Sequence, residues 1–84
     1  MIREHVVVRN PSGLHLRPAA RLSETALQFS SRVTLLHEGS EANAKSVLGI
    51  LGACVKSGDT VTVVCDGPDE EAAMRAVLEV LQDT

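Results

Sequence analysis

Apolar and polar positions alternate with two different periods along this chain, and the switches between them mark its elements. "REHVVV" near the start is β-branched at its end and is followed by "NPSG", which reads as a strand closed by a turn. From about Leu16 to Gln28 the period lengthens: Ala19, Leu22, Ala26 and Phe29 recur at helical spacing, with Arg21, Glu24 and Gln28 on the other side. That predicts an amphipathic helix with one buried stripe. "RVTLLHE" is rich in strand formers and places Val33 and Leu35 on one face; "GSEANA" then allows a turn into a short strand. In "KSVLGILGACVKSG", Val47, Ile50, Leu51 and Cys54 repeat at helical intervals behind Ser46, a good N-cap, while Gly49 and Gly52 keep this second helix short. "TVTVVCD" alternates Val61 and Val63 against Thr60 and Thr62, a strand. The third helix opens at Pro68 or Asp69, carries acidic residues in its first turn and buries Ala73, Val77, Val80 and Leu81.

The predicted order is strand, helix, strand, strand, helix, strand, helix. This is an α+β pattern in which one four-stranded antiparallel sheet buries one face under the helices. At 84 residues the chain is expected to form one domain over residues 1–84, with a single modest core. Phe29 is the only aromatic residue, so the core is aliphatic, and no aromatic platform is present to stack bases. The formal net charge of −3 is not the basic footprint of a nucleic-acid binder. No apolar run is long enough for a membrane span and the N-terminus has no secretory pattern, so a cytoplasmic protein is expected. Cys54 and Cys65 match no metal or disulfide pattern and are expected as two small buried thiols. No cofactor and no metal are expected.

The candidate chemistry lies in "GLHLRPA", Gly13 to Ala19. Pro18 suits the first turn of a helix far better than its middle, which puts His15 at a helix start. Unpaired backbone N–H groups and a partial charge of roughly +0.5 gather there, and both favour an anion. Arg17 adds a guanidinium suited to phosphate oxygens. A neutral imidazole beside such groups is what a transient phosphohistidine needs, and Gly13 lets the backbone come close. The plainer reading of a lone histidine at a helix start is a surface residue with no task. His5 and His37 lie in strand-like segments and are expected to be structural. Ser46 also heads a helix; a phosphate there would meet the helix terminus and add about −1.5 to −2 charge beside Val47 and Leu48. A plain N-cap serine explains that position equally well.

With these residues in view, the chain resembles a known family. "GLHLRPA" looks like the active-centre motif of HPr, the histidine-containing phosphocarrier of the phosphoenolpyruvate-dependent sugar phosphotransferase system; "ANAKSVLGIL" looks like its second signature, and "GPDEEAAMRAVLEVL" like its closing turn and helix. The resemblance covers essentially the whole chain. It implies an open-faced β-sandwich of four antiparallel strands under three helices. It implies that His15 accepts a phosphoryl group at Nδ1 from phosphorylated enzyme I and passes it to an enzyme IIA domain. Arg17 would steady that group and Pro18 would shape the first helical turn. Ser46 would be the serine modified by HPr kinase/phosphorylase, where that enzyme exists, with a regulatory protein as the reader. Leu16, Val47 and Leu48 would form the exposed docking patch. Three positions depart from the family pattern: Leu16 where the residue is usually small or hydroxylated, Glu24 on a helix often basic, and Cys54 in place of a glycine.

In this reading the protein is a phosphoryl carrier rather than a turnover enzyme, and is expected to be a monomer. A carrier of the nitrogen branch of the phosphotransferase system is the near alternative. A regulatory binding module acting through phosphorylated Ser46 is the alternative of another class. An anion-binding domain without a relay is disfavoured, because the chain has no sizeable Gly-rich phosphate loop.

Overall fold

The computed structural model describes residues 1–11 and 13–82. Seven elements follow in the predicted order: β1 (Ile2–Val7), α1 (Leu16–Leu27), β2 (Arg32–His37), β3 (Ser40–Asn43), α2 (Val47–Gly52), β4 (Thr60–Asp66) and α3 (Glu70–Gln82). The strands form one sheet in the order β1-β4-β2-β3, antiparallel throughout. In the central ladder Val33 faces Cys65 and Leu35 faces Val63, and Val6 of β1 faces Val61. All six side chains are buried, so the two-residue period points one face of each strand at the helices. Thr34, Leu36, Thr62 and Val64 fall between them and are half-buried on the open face. The fold is therefore the open-faced sandwich that the hydrophobic pattern and the family resemblance both imply.

Three stripes close the helical layer. Ala19, Leu22 and Ala26 of α1 meet Ala73, Val77, Val80 and Leu81 of α3, and Ile50 of α2 completes the contact. Ala19, Ala26 and Ala73 are small and fully buried, which lets the packed elements approach closely in an aliphatic core. Ser23 is the polar residue in the α1 stripe; it is buried and donates its hydroxyl to the Lys45 carbonyl at 2.9 Å. Helix α1 ends one residue before the expected Gln28, which is its C-cap, and Phe29 is only half-buried beyond it. No helix among the described residues is long and apolar enough to cross a membrane.

Cys54 is a correction. The four-position stripe Val47, Ile50, Leu51, Cys54 assumed a helix reaching residue 54. Helix α2 instead stops at Gly52 with Ala53 as C-cap, and Cys54 turns out with φ +54 and an exposed side chain. Only Cys65 is the buried thiol expected of both, and burial pushes its pKa up.

The β4–α3 turn is tied to the α1–β2 turn by Asp69. Its carboxylate accepts the Ser30 and Ser31 backbone N–H groups, each at 2.9 Å, and the Ser31 hydroxyl. The Ser31 hydroxyl and the Ser30 amide hold the Asp69 carboxyl at about 2, against an ordinary 3.8. A lowered carboxyl pKa stabilises the fold above the unfolded value, and that contribution is lost as pH falls from 3.8 towards 2. Asp69→Asn is expected to lower the melting temperature at neutral pH and to flatten its fall across that acid window. Thermal unfolding followed by circular dichroism at stepped pH checks this; an unchanged acid slope would contradict it.

Candidate phosphoryl site

His15 is the N-cap of α1. Its backbone is extended (φ −93, ψ −165) and its carbonyl accepts the Ala19 N–H at 2.9 Å, the first bond of the helix. Its side chain makes no capping hydrogen bond and is exposed. Leu16 and Arg17 are the first two helical residues, and N–H groups at that depth have no acceptor within the helix. Pro18, the third, has no N–H to lose and a φ already suited to the turn. The helix start thus presents a free imidazole and two backbone donors. His15, Leu16, Arg17, Pro18, Ala20, Arg21 and Glu24 line one shallow depression.

The loop feeding His15 is held at both ends by the segment between α2 and β4. Val8 donates to the Asp59 carbonyl at 2.9 Å and its own carbonyl accepts Gly58 N–H at 2.9 Å; Leu14 donates to the Val55 carbonyl at 3.0 Å. The Leu14 side chain is buried, so the chain is anchored immediately before the exposed histidine. Gly13 makes the approach possible. Its φ is +72, and a Cβ there would lie 2.5 Å from the Val55 carbonyl oxygen and 2.8 Å from Lys56 Cα.

The expected docking residues divide. Leu16 and Leu48 are 66% and 82% exposed, far more than large aliphatic residues need be. Val47 does not join them: it is half-buried and packs against the core, because the first turn of α2 turns this position inward beside Ile50. Ser46 is the N-cap of α2, with a half-buried side chain whose Oγ accepts the Gly49 N–H at 3.1 Å. Its neighbour Lys45 reaches away, donating Nζ to the Phe29 carbonyl at 2.8 Å. Together with the Ser23 bond, this lashes the turn before Ser46 to α1 and to the residues just beyond its end.

The other histidines are placed differently. His5 is exposed on the open face, its Nδ1 2.8 Å from Thr62 Oγ1. His37 is buried and bonded at both ring nitrogens, as a structural histidine should be. Sequence reasoning missed Arg21 as part of the depression, although its position one turn after Arg17 was a readable signal. It also missed Asp59, whose side chain accepts the Lys56 N–H at 3.0 Å and sits under the His15 loop; no motif marks it.

Comparison with known proteins places this architecture. The model of the family described as "PTS HPr component phosphorylation site" matches residues 2–83. The phosphocarrier protein HPr of Xylella fastidiosa is 37% identical over 99% of this chain and 93% of its own length. The HPr-like protein Crh of Halalkalibacterium halodurans is 34% identical, covering 98% of each. Among solved structures, HPr of Thermoanaerobacter tengcongensis superposes with a TM-score of 0.94 at 35% identity, over 98% of this chain and 92% of that one. Bacillus subtilis Crh, described as a swapped dimer, gives 0.81 at 36%, over 99% and 95%. With the helix-start histidine, the four-stranded open sheet and full-length matches in agreement, the chain belongs to the HPr phosphocarrier family of the phosphotransferase system.

Proposed function

We propose that this protein carries a phosphoryl group on His15 between enzyme I and an enzyme IIA domain of the sugar phosphotransferase system. The observation that carries the reading is the exposed His15 ring at the start of α1, bound to nothing, beside the first-turn N–H groups and Arg17. A ring lone pair at Nδ1 forms the new P–N bond as the donor's bond to phosphorus breaks. The phosphoryl oxygens then gain the Leu16 and Arg17 amides and the Arg17 guanidinium, interactions that a helix N-terminus favours for any anion. Pro18 keeps that turn rigid. The relay is reversible in form: a partner's nucleophile takes the group by the same displacement, and the protein returns unchanged, a carrier rather than a turnover enzyme.

Leu16 and Leu48 supply the apolar docking surface in this reading, and the work is done in the cytoplasm. The test is a reconstituted relay with phosphoenolpyruvate, purified enzyme I and an enzyme IIA domain. The expected result is a single acid-labile phosphoryl adduct that disappears when enzyme IIA is added. Incubation with the enzyme I of the nitrogen branch separates that alternative. No adduct with either donor would overturn the reading.

A regulatory role through Ser46 is supported by its place at the start of α2 beside exposed Leu48, and by similarity to Crh proteins. Phosphate on Oγ would displace the bond from Gly49 and set a charge beside that apolar surface. HPr kinase/phosphorylase would be the enzyme and a regulatory protein the reader. Persistence of full cellular function in His15→Ala would favour this second reading over the relay.

A further inference from the structure

One of the two histidines that the relay does not use is bonded to the segment that holds the His15 loop. His37, at the end of β2, is 6% exposed. Its Nδ1 lies 3.0 Å from the Ala53 carbonyl oxygen and its Nε2 lies 3.0 Å from Asp59 Oδ2. Ala53 is the C-cap of α2 and Asp59 immediately precedes β4, so one ring spans the two ends of the connection between them. The same Asp59 oxygen accepts the Lys56 N–H at 3.0 Å, closing the turn from inside. Those bonds pull the Asp59 carboxyl below its usual value, with the Lys56 amide first and His37 after it.

This connection is the seat of the His15 loop. Val8 and Leu14, at its two ends, pair with Gly58, Asp59 and Val55, and Gly13 leaves no room between the loop and Val55. A shift of the connection therefore moves Leu14, and with it the neighbouring His15. Both groups facing His37 are hydrogen-bond acceptors, so the two bonds form together only when the ring donates from each nitrogen. A buried ring satisfied at both ends is a rigid strut, whereas an apolar residue there would leave a carbonyl and a carboxylate to seek other partners.

We propose that His37 is a positioning residue for the phosphoryl site: through Ala53 and Asp59 it fixes the 53–59 connection on which Leu14 and His15 are seated. The proposal rests on His15 as the phosphoryl acceptor, and its two readouts are chosen so that each idea can fail alone. His37→Leu removes both bonds. His37→Gln places an amide donor near Nε2 and His37→Asn near Nδ1, so each keeps one bond and serves if His37→Leu does not fold. The first readout is amide hydrogen exchange at Leu14. It is expected to accelerate about tenfold or more in His37→Leu relative to core amides such as Val63, and less in the other two. The second is steady-state transfer from phosphorylated enzyme I, per folded molecule. The turnover rate is expected to fall about three- to tenfold with KM unchanged, because Leu16 and Leu48 are untouched, and Gln and Asn are expected to rescue part of it.

A purely structural histidine would lower the melting temperature and leave both readouts where they are, which would overturn the proposal. An unchanged Leu14 exchange rate alone would overturn it too, as would an unchanged transfer rate. Absence of any adduct on the wild-type protein would instead overturn the His15 reading, and Leu14 exchange would still decide whether His37 holds the loop.

Discussion

His15→Ala is expected to yield a folded protein that takes up no phosphoryl group. The side chain caps nothing and is exposed, so its removal deletes no intramolecular bond, and the stability change should stay within about 0.5 kcal/mol. The chemical loss is complete, because the helix start and Arg17 bind phosphoryl oxygens but neither offers a lone pair to phosphorus. The remaining histidines are no substitutes. His5 lies on the open face against Thr62, away from any helix start, and His37 is buried with both nitrogens engaged. Intact-mass analysis after incubation with phosphorylated enzyme I, with a melting curve as the control for folding, measures both halves. An adduct of wild-type yield on the variant would remove His15 from the mechanism.

Gly13→Ala is expected to cost about 2–4 kcal/mol, from left-handed backbone strain and from overpacking. The φ of +72 is unfavourable for any residue with a Cβ, and the added carbon would meet backbone at 2.5 and 2.8 Å. Backbone atoms of Val55 and Lys56 cannot rotate aside as a side-chain tip could. The loop must lift instead, stretching the Leu14 to Val55 bond and tilting the start of α1. A domain of this size has roughly 4–12 kcal/mol to lose, so the change takes a large share of it. Urea unfolding is expected to show a lower midpoint, and phosphoryl transfer per folded molecule is expected to slow. Wild-type stability in Gly13→Ala would mean that the loop does not sit against Val55 as described.

How much of this was legible in the sequence depends on range. The alternation Val61, Val63, Cys65 and the stripe Ala19, Leu22, Ala26 state their burial locally, because a strand or helix face is set by spacing alone. His15 was legible for the same reason: glycine, histidine and proline within six residues describe a helix start without reference to the rest of the fold. Ser46 as an N-cap is equally local. Val47 takes the half-buried place that its helical spacing predicts, whereas Cys54 does not, because α2 has only six residues. In so short a helix, one residue at an end decides which side chains face in, and Gly52 stops the helix before the stripe reaches Cys54. His37 and Asp59 stand 22 positions apart, and nothing in either segment announces the other; the sheet brings them together. Asp69 with Ser30 and Ser31 is a third case, a clamp across 38 positions whose parts read separately as a helix start and a serine turn. Local periodicity therefore gives the elements and their ends, and the supports beneath the site appear only when the sheet is assembled.

The most direct measurement locates the phosphoryl group itself. Nuclear magnetic resonance of the protein after phosphorylation by enzyme I, with nitrogen-15 in the histidine rings, shows which nitrogen gains the bond to phosphorus. A single shifted ring is expected, His15, bonded at Nδ1, with His5 and His37 unmoved. A phosphoryl group on either of those rings, or on Ser46 with the His15 ring unchanged, would contradict it.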